Sequence, residues 1–416
     1  MTNPQILSLR EQDALHDEWL AYRLEQILPT LMQRTQIDLW IVLSREYNED
    51  PVMFSLLPAT SLNASRLTGF VYALNDEDQV DCYSISSRTA KRYAPFYQAV
   101  WAEGDETQFE CLARLIADQD PQRIGIDVSE TFALADGLSK TLYDQLVAAL
   151  TETYRQRLVG AEELAVGWLE TRSPAELAAY PELNQIAHGL IAEAFSKQAI
   201  EVGVTTTTDL EYSMLQRAID LGLGFWFHFD VDIQRHQEVE GDPDNTTVLP
   251  GDLLHCDVGI CYKGLKTDTQ RLAYVLKEGE TDAPEGLKAL FRSANQFQDI
   301  VSANFGEGRT GNEILAQSLA EAEAAGLDAT LYNHPIGVHG HAAGPIMGLW
   351  DHQEGVPGRG DYPLYANTCH ALELNVKMPV PEWDGKVVQA SLEQTVAFTG
   401  GEVVYLDGRQ TTLILV

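Results

Sequence analysis

The stretch HCDVGICYKGLKTDTQR (residues 255–271) carries two aspartates inside a segment that otherwise has the apolar content of β-strands. The run YKG (262–264) in its middle predicts a hairpin turn, which would place Asp257 and Asp268 nearly opposite each other. Side chains that face each other across two strands have Cβ atoms about 5 Å apart. Two ionised carboxylates that close repel strongly, so the segment requires a compensating proton, basic group or metal ion.

Two further acids lie inside apolar runs later in the chain. Glu373 stands in the strand-like run ALELN, and Glu393 precedes the run QTVAF. A DxG motif by itself usually means exposed aspartates near a turn, but charges embedded in buried strands are expensive and favour a shared site. The loop NHPIGVHGHAAGP adds His334 and His341, together with His339, which is interpreted as a surface residue. Four carboxylates with imidazole suit two divalent cations of the Mn, Co, Fe or Zn type.

The composition is that of a soluble globular protein with a strong excess of acid. There are 62 acidic and 28 basic residues, and the formal charge is −34. Such a field repels phosphate, which argues against nucleic acid and anionic membranes as partners. The five cysteines are irregularly spaced, so we expect reduced thiols. We find no signal segment and no transmembrane run, so the expected location is the cytoplasm.

A chain of 416 residues is long enough for two domains. Over residues 1–160, short β-branched and aromatic runs alternate with amphipathic helical segments, which predicts an α/β domain without a catalytic cluster. Ser173-Pro174 is typical of a helix start, and Thr207 or Thr208 is predicted to cap the next helix. Residues 170–416 then contain mostly neighbouring strands, which predicts an α+β domain with a mainly antiparallel sheet.

In this order and spacing, the acids and the histidine resemble the pita-bread metallopeptidases. These include methionyl aminopeptidase, Xaa-Pro aminopeptidase and prolidase, with creatinase as a non-peptidase relative. DVG and TDTQR are similar to the family's DxG and (S/T)D-x-x-R motifs, and HPIGVHGH is similar to its HGIG-x-x-x-H element. ALELN and LEQTV are similar to its two glutamate strands. Pro335 and Ser391 depart from the family pattern, which commonly has a small residue and a basic residue at those places.

The resemblance covers the chain from about residue 170 to its end. It implies a pita-bread catalytic domain with a mainly antiparallel sheet over residues 170–416. The residues before it resemble the creatinase-like N-terminal α/β domain, assigned here to residues 1–160, which favours the Xaa-Pro aminopeptidase, prolidase and creatinase branch. In that branch the first domain narrows access to the site, often across a homodimer, so a homodimer is expected.

The resemblance also implies roles for five ligands of two divalent metal ions, whose identity stays open among Mn, Co, Zn and Fe. Asp257 would bind one ion, while Asp268 and Glu393 would bridge both. His334 and Glu373 would bind the second ion. A hydroxide that bridges the metals would attack the peptide bond, and Glu373 would carry a proton to the leaving nitrogen.

Other histidines are implied to act on the substrate. His341 would donate to the tetrahedral intermediate. A further family histidine precedes the first aspartate, and two residues are candidates for it. His236 lies 21 residues before Asp257, a spacing close to the prolidase pattern that favours it, and His228 lies 29 residues before it. The aromatic run FWF (225–227) beside His228 is predicted to pack in the core.

The sequence therefore supports a dinuclear metal-dependent peptidase that hydrolyses an N-terminal Xaa-Pro bond in a short peptide. A non-peptidase of the same fold, either a creatinase-like C–N hydrolase or a sulfonio-acid lyase with a small-molecule substrate, is the main alternative. A scaffold without enzyme activity is the third hypothesis. All five ligand positions are filled, which favours a metalloenzyme over a metal-free enzyme or an eroded scaffold.

Overall fold

The computed structural model describes residues 5–86, 90–237 and 245–416. The chain forms two compact units, one holding Leu7–Ser173 and the other holding Pro174–Val416. The second unit starts with a helix whose first residue is Pro174, where the sequence predicts a helix to begin. Proline is favoured at that position because its missing N–H would have no helical partner there.

The first unit combines one sheet with seven α-helices in its described residues. Its helices are α1 (Leu9–Tyr22), α2 (Leu28–Thr35), α3 (Ala90–Tyr93), α4 (Gln108–Gln119), α5 (Lys140–Ala149), α6 (Glu152–Arg155) and α7 (Glu162–Glu170). Its strands are β1 (Leu39–Arg45), β2 (Leu67–Leu74), β3 (Val80–Ser84), β4 (Gln98–Ala99), β5 (Ile124–Ile126) and β6 (Leu158–Gly160). Short π and 3-10 turns lie at Arg23–Ile27, Met53–Ser55 and Ala133–Ala135.

The sheet of the first unit has the strand order β4-β3-β2-β1-β5-β6. Strand β1 is antiparallel to β2 and parallel to β5, so the sheet is mixed. Leu112 and Ile116 of α4 are buried in one core with Leu142 of α5 and the strand residue Ile41. Thr107 caps α4 by accepting a hydrogen bond from the backbone of Glu110. The amphipathic segments of the sequence thus become the helical layer of an α/β unit.

A buried pair of carboxyl groups lies inside this unit. Asp50 and Asp127 are both fully buried, and each influences the pKa of the other. The indole N–H of Trp40 donates to Asp127 at 2.6 Å, and the amide of Val52 donates to Asp50 at 2.9 Å. Burial raises the pKa of Asp50 to about 6 and the pKa of Asp127 well above its ordinary value. A side-chain carbon at Gly137 would lie 2.0 Å from the Asp50 carboxyl carbon, so the pair is closely covered.

The pair predicts how stability depends on pH. The folded unit keeps protons that the unfolded chain loses near pH 4, so the free energy of unfolding should fall as the pH rises from about 4 to about 6. Asp127→Asn keeps a donor for Asp50 but removes one retained proton. Its slope should be shallower than the wild-type slope by about 1.4 kcal/mol per pH unit, as measured by urea unfolding. The exposed control Asp118→Asn should keep the wild-type slope, and an unchanged slope in Asp127→Asn would contradict the retention of a proton by Asp127 in the folded unit.

The second unit contains four α-helices and eleven strands in its described residues. Its helices are α8 (Pro174–Ala194), α9 (Thr207–Asp220), α10 (Glu285–Asn304) and α11 (Gly311–Ala324). Its strands are β7 (Gly224–Phe225), β8 (Asp230–Gln234), β9 (Leu253–Val258), β10 (Ile260–Tyr262), β11 (Leu265–Lys266), β12 (Thr269–Tyr274), β13 (Asp328–Pro335), β14 (Thr368–Val380), β15 (Lys386–Thr399), β16 (Glu402–Tyr405) and β17 (Ile414–Leu415). Short 3-10 turns lie at Arg359–Asp361 and Pro381–Trp383.

The large sheet of this unit has the order β13-β14-β15-β12-β9-β8, with β16 beside β15 and β17 beside β12. Every pairing along that main order is antiparallel, which confirms the predicted sheet type. On β14, Leu372 and Leu374 belong to an apolar core that includes Leu287 and Phe291 of α10. Neighbouring residues of a strand face opposite sides, so Glu373 points away from that core.

Two local predictions need correction. Helix α9 is capped by Thr206 rather than Thr207 or Thr208, because the acid three residues after the cap, Asp209, completes a capping box with Thr206. The hairpin does turn at Lys263-Gly264, where both residues have positive φ. Its register, however, pairs Asp257 with Gln270, so Asp257 and Asp268 are diagonal neighbours instead of facing each other. Among the described residues, no helix is long and apolar enough to cross a membrane.

Candidate metal centre

One row of paired residues crosses the large sheet and carries most of the site. From β13 to β8 the row reads Tyr332, Glu373, Glu393, Gln270, Asp257 and Asp230. Directly paired residues point to the same face of a sheet. Four acids from four strands are therefore brought into one row by the strand register alone, with Gln270 between Glu393 and Asp257.

The neighbouring row contributes the rest of the cluster. His334 lies two residues beyond Tyr332 on β13, and Asp268 lies two residues before Gln270, so both face the same side as the acids. The backbone amide of Asp268 donates to the hydroxyl of Thr395 at 3.4 Å, and that hydroxyl donates to the Asp268 carbonyl at 3.0 Å. These two bonds fix the start of β12 against β15.

All five predicted ligands converge in the structure. Asp268, His334 and Glu393 offer ligand atoms within 4.8 Å of one another, and we call this set the histidine group. Asp257, Glu373 and Glu393 do the same, and we call this set the all-carboxylate group. Glu393 belongs to both, which is the position that a bridging ligand needs. The resemblance instead assigns Glu373 to the ion of His334, and the partition of ligands between two ions stays a prediction.

The hydrogen bond and the free nitrogen of His334 show whether the pocket fits a cation. It is buried, and its Nδ1 lies 3.0 Å from the carbonyl oxygen of Pro335, so Nδ1 carries the proton. Its Nε2 then exposes a lone pair 3.6 Å from Asp268 Oδ2 and 3.8 Å from Glu393 Oε1. Burial lowers the pKa of His334 to about 4, so the ring is neutral near pH 7. A lone pair that faces two carboxylates needs a cation between them.

The carboxylates point to the same conclusion. Both oxygens of Glu393 and one oxygen each of Asp257 and Asp268 are buried without a hydrogen-bond partner among the described residues. Burial raises the pKa of Asp268 to about 7. Burial and the charge of Asp268 raise the pKa values of Asp257, Glu373 and Glu393 well above normal. Buried polar atoms without partners are rare in folded proteins, and oxygen and imidazole donors suit divalent metal ions.

Aromatic rings surround the cluster. The ring of His341 lies 4.7 Å from the ring of His334 and 5.1 Å from Trp226. Tyr332 lies 5.3 Å from His334 and 5.6 Å from the exposed ring of Trp350. His341 is itself exposed, so it stands between the buried ligands and solvent.

The aromatic run 225–227 is not core, contrary to the prediction. Phe225 is 40% exposed, and Trp226 and Phe227 are half-buried. A side-chain carbon at Gly259 would lie 2.3 Å from both Trp226 Nε1 and Phe227 Cε1, and one at Gly340 would lie 2.3 Å from the Trp226 ring. The two glycines thus make room for the indole, whose N–H donates to the Thr267 carbonyl at 2.9 Å.

The charge of Arg359 acts on this cluster. The charge of Arg359 lowers the pKa values of His334 and His341, adding to the larger effect of burial, and it opposes the burial that raises the pKa of Tyr332 to about 12. Arg359 is exposed, and no ion pair of Arg359 is found within the described ranges. Its guanidinium is therefore open to an anionic group from outside the chain.

The contacts of the other two predicted histidines, His228 and His236, are with residues other than the five ligands. His236 lies 2.9 Å from Asp384 and stacks on Trp383. His228 is exposed and packs edge-on against Tyr212. No hydrogen bond or ring contact among the described residues joins either histidine to the five ligands. Their role in substrate contact stays a prediction.

Several residues of the site escaped the sequence interpretation. Tyr332 and Arg359 carry no local signal, because neither belongs to a recognisable motif. Gln270 and His255 lie within the opening stretch, and each is two residues from an aspartate of the cluster. Strand alternation alone places them on the face of Asp268 and Asp257.

Comparison with known proteins adds the family. The sequence model described as Metallopeptidase family M24 matches residues 180–400, which is more than half of the 416 residues. The chain belongs to metallopeptidase family M24. The matched segment contains all five converging ligands and both glutamate strands. No curated protein matches the chain.

Solved structures show that this M24 protein has the fold expected from the resemblance. X-Pro aminopeptidase from Thermotoga maritima MSB8 is 16% identical, with a TM-score of 0.64 over 93% of this chain and 100% of that chain. Xaa-Pro dipeptidase from Bacillus anthracis is also 16% identical, with a TM-score of 0.63 over 98% of this chain and 100% of that chain. The N-terminal domain of the FACT complex subunit SPT16 from Cicer arietinum is 12% identical, with a TM-score of 0.56 over 98% of this chain and 99% of that chain. At such identities the likeness shows the pita-bread fold alone.

Replacing Glu393 should have opposite effects on the stability of the metal-free protein and on metal binding. In metal-free protein near neutral pH, Glu393→Gln should raise the free energy of unfolding, because it removes a carboxyl group whose pKa is raised by burial and by the neighbouring acids. The same variant should lose most of the stabilisation that added Mn²⁺ gives, because Glu393 belongs to both ligand groups. Urea unfolding with and without Mn²⁺ measures both effects.

The exposed acid Asp328 provides the control for that measurement. Asp328→Asn should change neither the metal-free stability nor the response to Mn²⁺. A Glu393→Gln variant that is less stable than wild type without metal, yet gains as much from Mn²⁺, would refute the assignment of Glu393 to a metal centre.

Proposed function

We propose that this M24 protein is a dinuclear metal-dependent peptidase that hydrolyses the bond between an N-terminal residue and a following proline in short peptides. The observation that carries the proposal is the neutral His334 imidazole, whose free Nε2 faces two buried carboxylates. Such an arrangement is stable with cations in the pocket and strained without them. The aminopeptidase and dipeptidase named among the solved structures support the reaction class.

The histidine group and the all-carboxylate group would each hold one divalent ion, with Glu393 shared between them. Mn, Co, Zn and Fe all fit a set of carboxylates with one imidazole. When bound, such ions supply Lewis acidity, which polarises a peptide carbonyl and makes water a better nucleophile at neutral pH. The protein contributes the fixed positions of the ligands and a pocket from which bulk water is largely excluded.

The side chains around the ligands supply the proton transfers. Gln270 donates to Glu373 Oε1 at 2.5 Å, which leaves Glu373 Oε2 to accept the proton of the attacking water and to pass it to the leaving nitrogen. His341, whose pKa is lowered to about 4 mainly by burial, presents a neutral ring whose N–H can donate to the developing oxyanion. Its exposed position lets it reach a bound substrate.

Arg359 and the aromatic rings support a short substrate with a free carboxylate. A guanidinium binds a carboxylate through two parallel hydrogen bonds. Tyr332 packs against the ligand His334 and Trp226 packs against His341, and flat aromatic surfaces suit the apolar ring of proline. A dipeptide such as Ala-Pro ends in a carboxylate directly after that ring, so the anchor and the aromatic surfaces match it.

The Arg359 guanidinium would also bind the carboxylate of a small acid that is not a peptide. Aromatic rings beside carboxylates attract onium groups as well as proline rings, which keeps the sulfonio-acid lyase as the second candidate. The fold does not decide between them, since a protein named as a FACT complex subunit shares it. Substrate turnover is the measurement that separates the two.

Turnover of Ala-Pro and Gly-Pro should depend on added metal. Chelated protein should be inactive, added Mn²⁺ should restore hydrolysis, and Asp268→Asn should lower kcat by at least about a thousandfold because a carboxylate ligand of the histidine group is lost. Asp328→Asn serves again as the exposed control. Hydrolysis that survives chelation, or absence of hydrolysis in metal-loaded wild type with either dipeptide, would refute the proposed peptidase.

Arg359→Gln should change dipeptide binding selectively. The KM for Ala-Pro should rise about tenfold or more, which corresponds to about 1.4 kcal/mol, while kcat changes little. Ala-Pro amide has no terminal carboxylate, so its KM should be the same in wild type and variant. Arg292→Gln, an exposed arginine on α10, is the matched control. Equal effects on the acid and the amide would exclude Arg359 as the carboxylate anchor.

A further inference from the structure

A buried glutamine occupies the centre of the acid row. Gln270 is 3% exposed, and its backbone pairs with Asp257 on one side and Glu393 on the other. Its side-chain nitrogen lies 2.5 Å from Glu373 Oε1 and 3.3 Å from Asp257 Oδ2. A single amide group thus contacts two of the three acids in the all-carboxylate group.

A histidine sets the orientation of that amide. His255 Nε2 lies 2.9 Å from Gln270 Oε1, and a ring N–H there donates to the amide oxygen. The amide nitrogen must then face the carboxylates, which accept its two hydrogens. The reverse orientation would place the amide oxygen against two carboxylate oxygens and a donor against a donor. His255 Nδ1 in turn lies 3.7 Å from Asp232 Oδ2, so the polar chain continues to β8.

The two hydrogen bonds from the Gln270 amide each use one particular oxygen of an acid. Asp257 uses Oδ2 for Gln270, while its Oδ1 is buried without a partner among the described residues. Glu373 uses Oε1, while Oε2 stays available. Two carboxylates held by one amide cannot rotate or separate freely, although their charges repel. Such outer contacts commonly change metal affinity by about 10- to 100-fold.

We propose that Gln270 is a positioning residue that holds Asp257 and Glu373 in place for the ion of the all-carboxylate group, and that His255 acts through Gln270. The histidine group does not depend on this amide, because neither Asp268 nor His334 has a described contact with it. Gln270 therefore tunes one ion of the pair and leaves the other unchanged. The proposal rests on the dinuclear site of the proposed function. It adds the residue that makes the all-carboxylate group differ from the histidine group.

Calorimetric titration of metal-free protein with Mn²⁺ tests this without any peptide. Gln270→Met keeps the length and burial of the side chain but removes both donors. It should weaken one of the two binding steps by about 10- to 100-fold and leave the other at wild-type affinity. His255→Leu should weaken the same step by a smaller factor. The double variant should match Gln270→Met, because His255 has no route to the acids once the amide is gone.

Gln394→Met is the matched control. Gln394 is 1% exposed and follows Glu393, but it faces the other side of the sheet, where it contacts Arg271 at 3.5 Å. The Gln394→Met variant should bind both ions with wild-type affinity. Thermal unfolding of each chelated variant identifies any that fails to fold, and His255→Leu then carries the test.

The outcomes separate the two proposals. Wild-type protein that takes up no Mn²⁺ overturns the metal centre and this inference together. Two wild-type binding steps in both Gln270→Met and His255→Leu overturn only the positioning role. Additive losses in the double variant overturn the action of His255 through Gln270. Loss of a single step, absent from Gln394→Met, is the expected result and is not produced by general destabilisation.

Discussion

Mutual repulsion of buried carboxylates is the constraint on which the second unit depends. Glu393 is fully buried, and burial together with the acids around it raises its pKa, yet neither of its oxygens has a hydrogen-bond partner among the described residues. His334 adds a neutral nitrogen whose lone pair faces the same space. Positive charge from outside the chain resolves this arrangement, which explains why a fold would keep so many acids where apolar residues would be more stable.

The sheet is what makes such a cluster possible. A single paired row brings Glu373, Glu393 and Asp257 together, while the residues beside them on each strand, such as Leu372 and Leu392, build the apolar core on the opposite side. The alternation of a β-strand therefore supplies stability on one face and chemistry on the other. The glycines at 259 and 340 complete the pocket by leaving space for Trp226.

Much of the fold and of the candidate site could be predicted from the sequence, because the signals lie in short stretches or in the order of the motifs along the chain. The apolar runs around Glu373 and Glu393 indicated buried strands, and Ser173-Pro174 indicated the start of α8. Other features depend on contacts between distant residues. The hairpin register shifted the partner of Asp257 by two residues, and the position of the half-buried Trp226 ring depends on glycines that are 33 and 114 residues away from it in sequence. Neither can be deduced from periodicity.

Membership of family M24 and the pita-bread fold leave the substrate to be decided by the site. The proposed anchor at Arg359, the aromatic rings and the proposed unequal halves of the cluster belong to this chain's own residues. The proposed function requires two cations lying among the five ligands. Diffraction from crystals of wild-type protein grown with Mn²⁺, recorded near the manganese absorption edge, tests this most directly. We expect two anomalous peaks enclosed by Asp257, Asp268, His334, Glu373 and Glu393; an absence of anomalous density in that pocket would contradict the account.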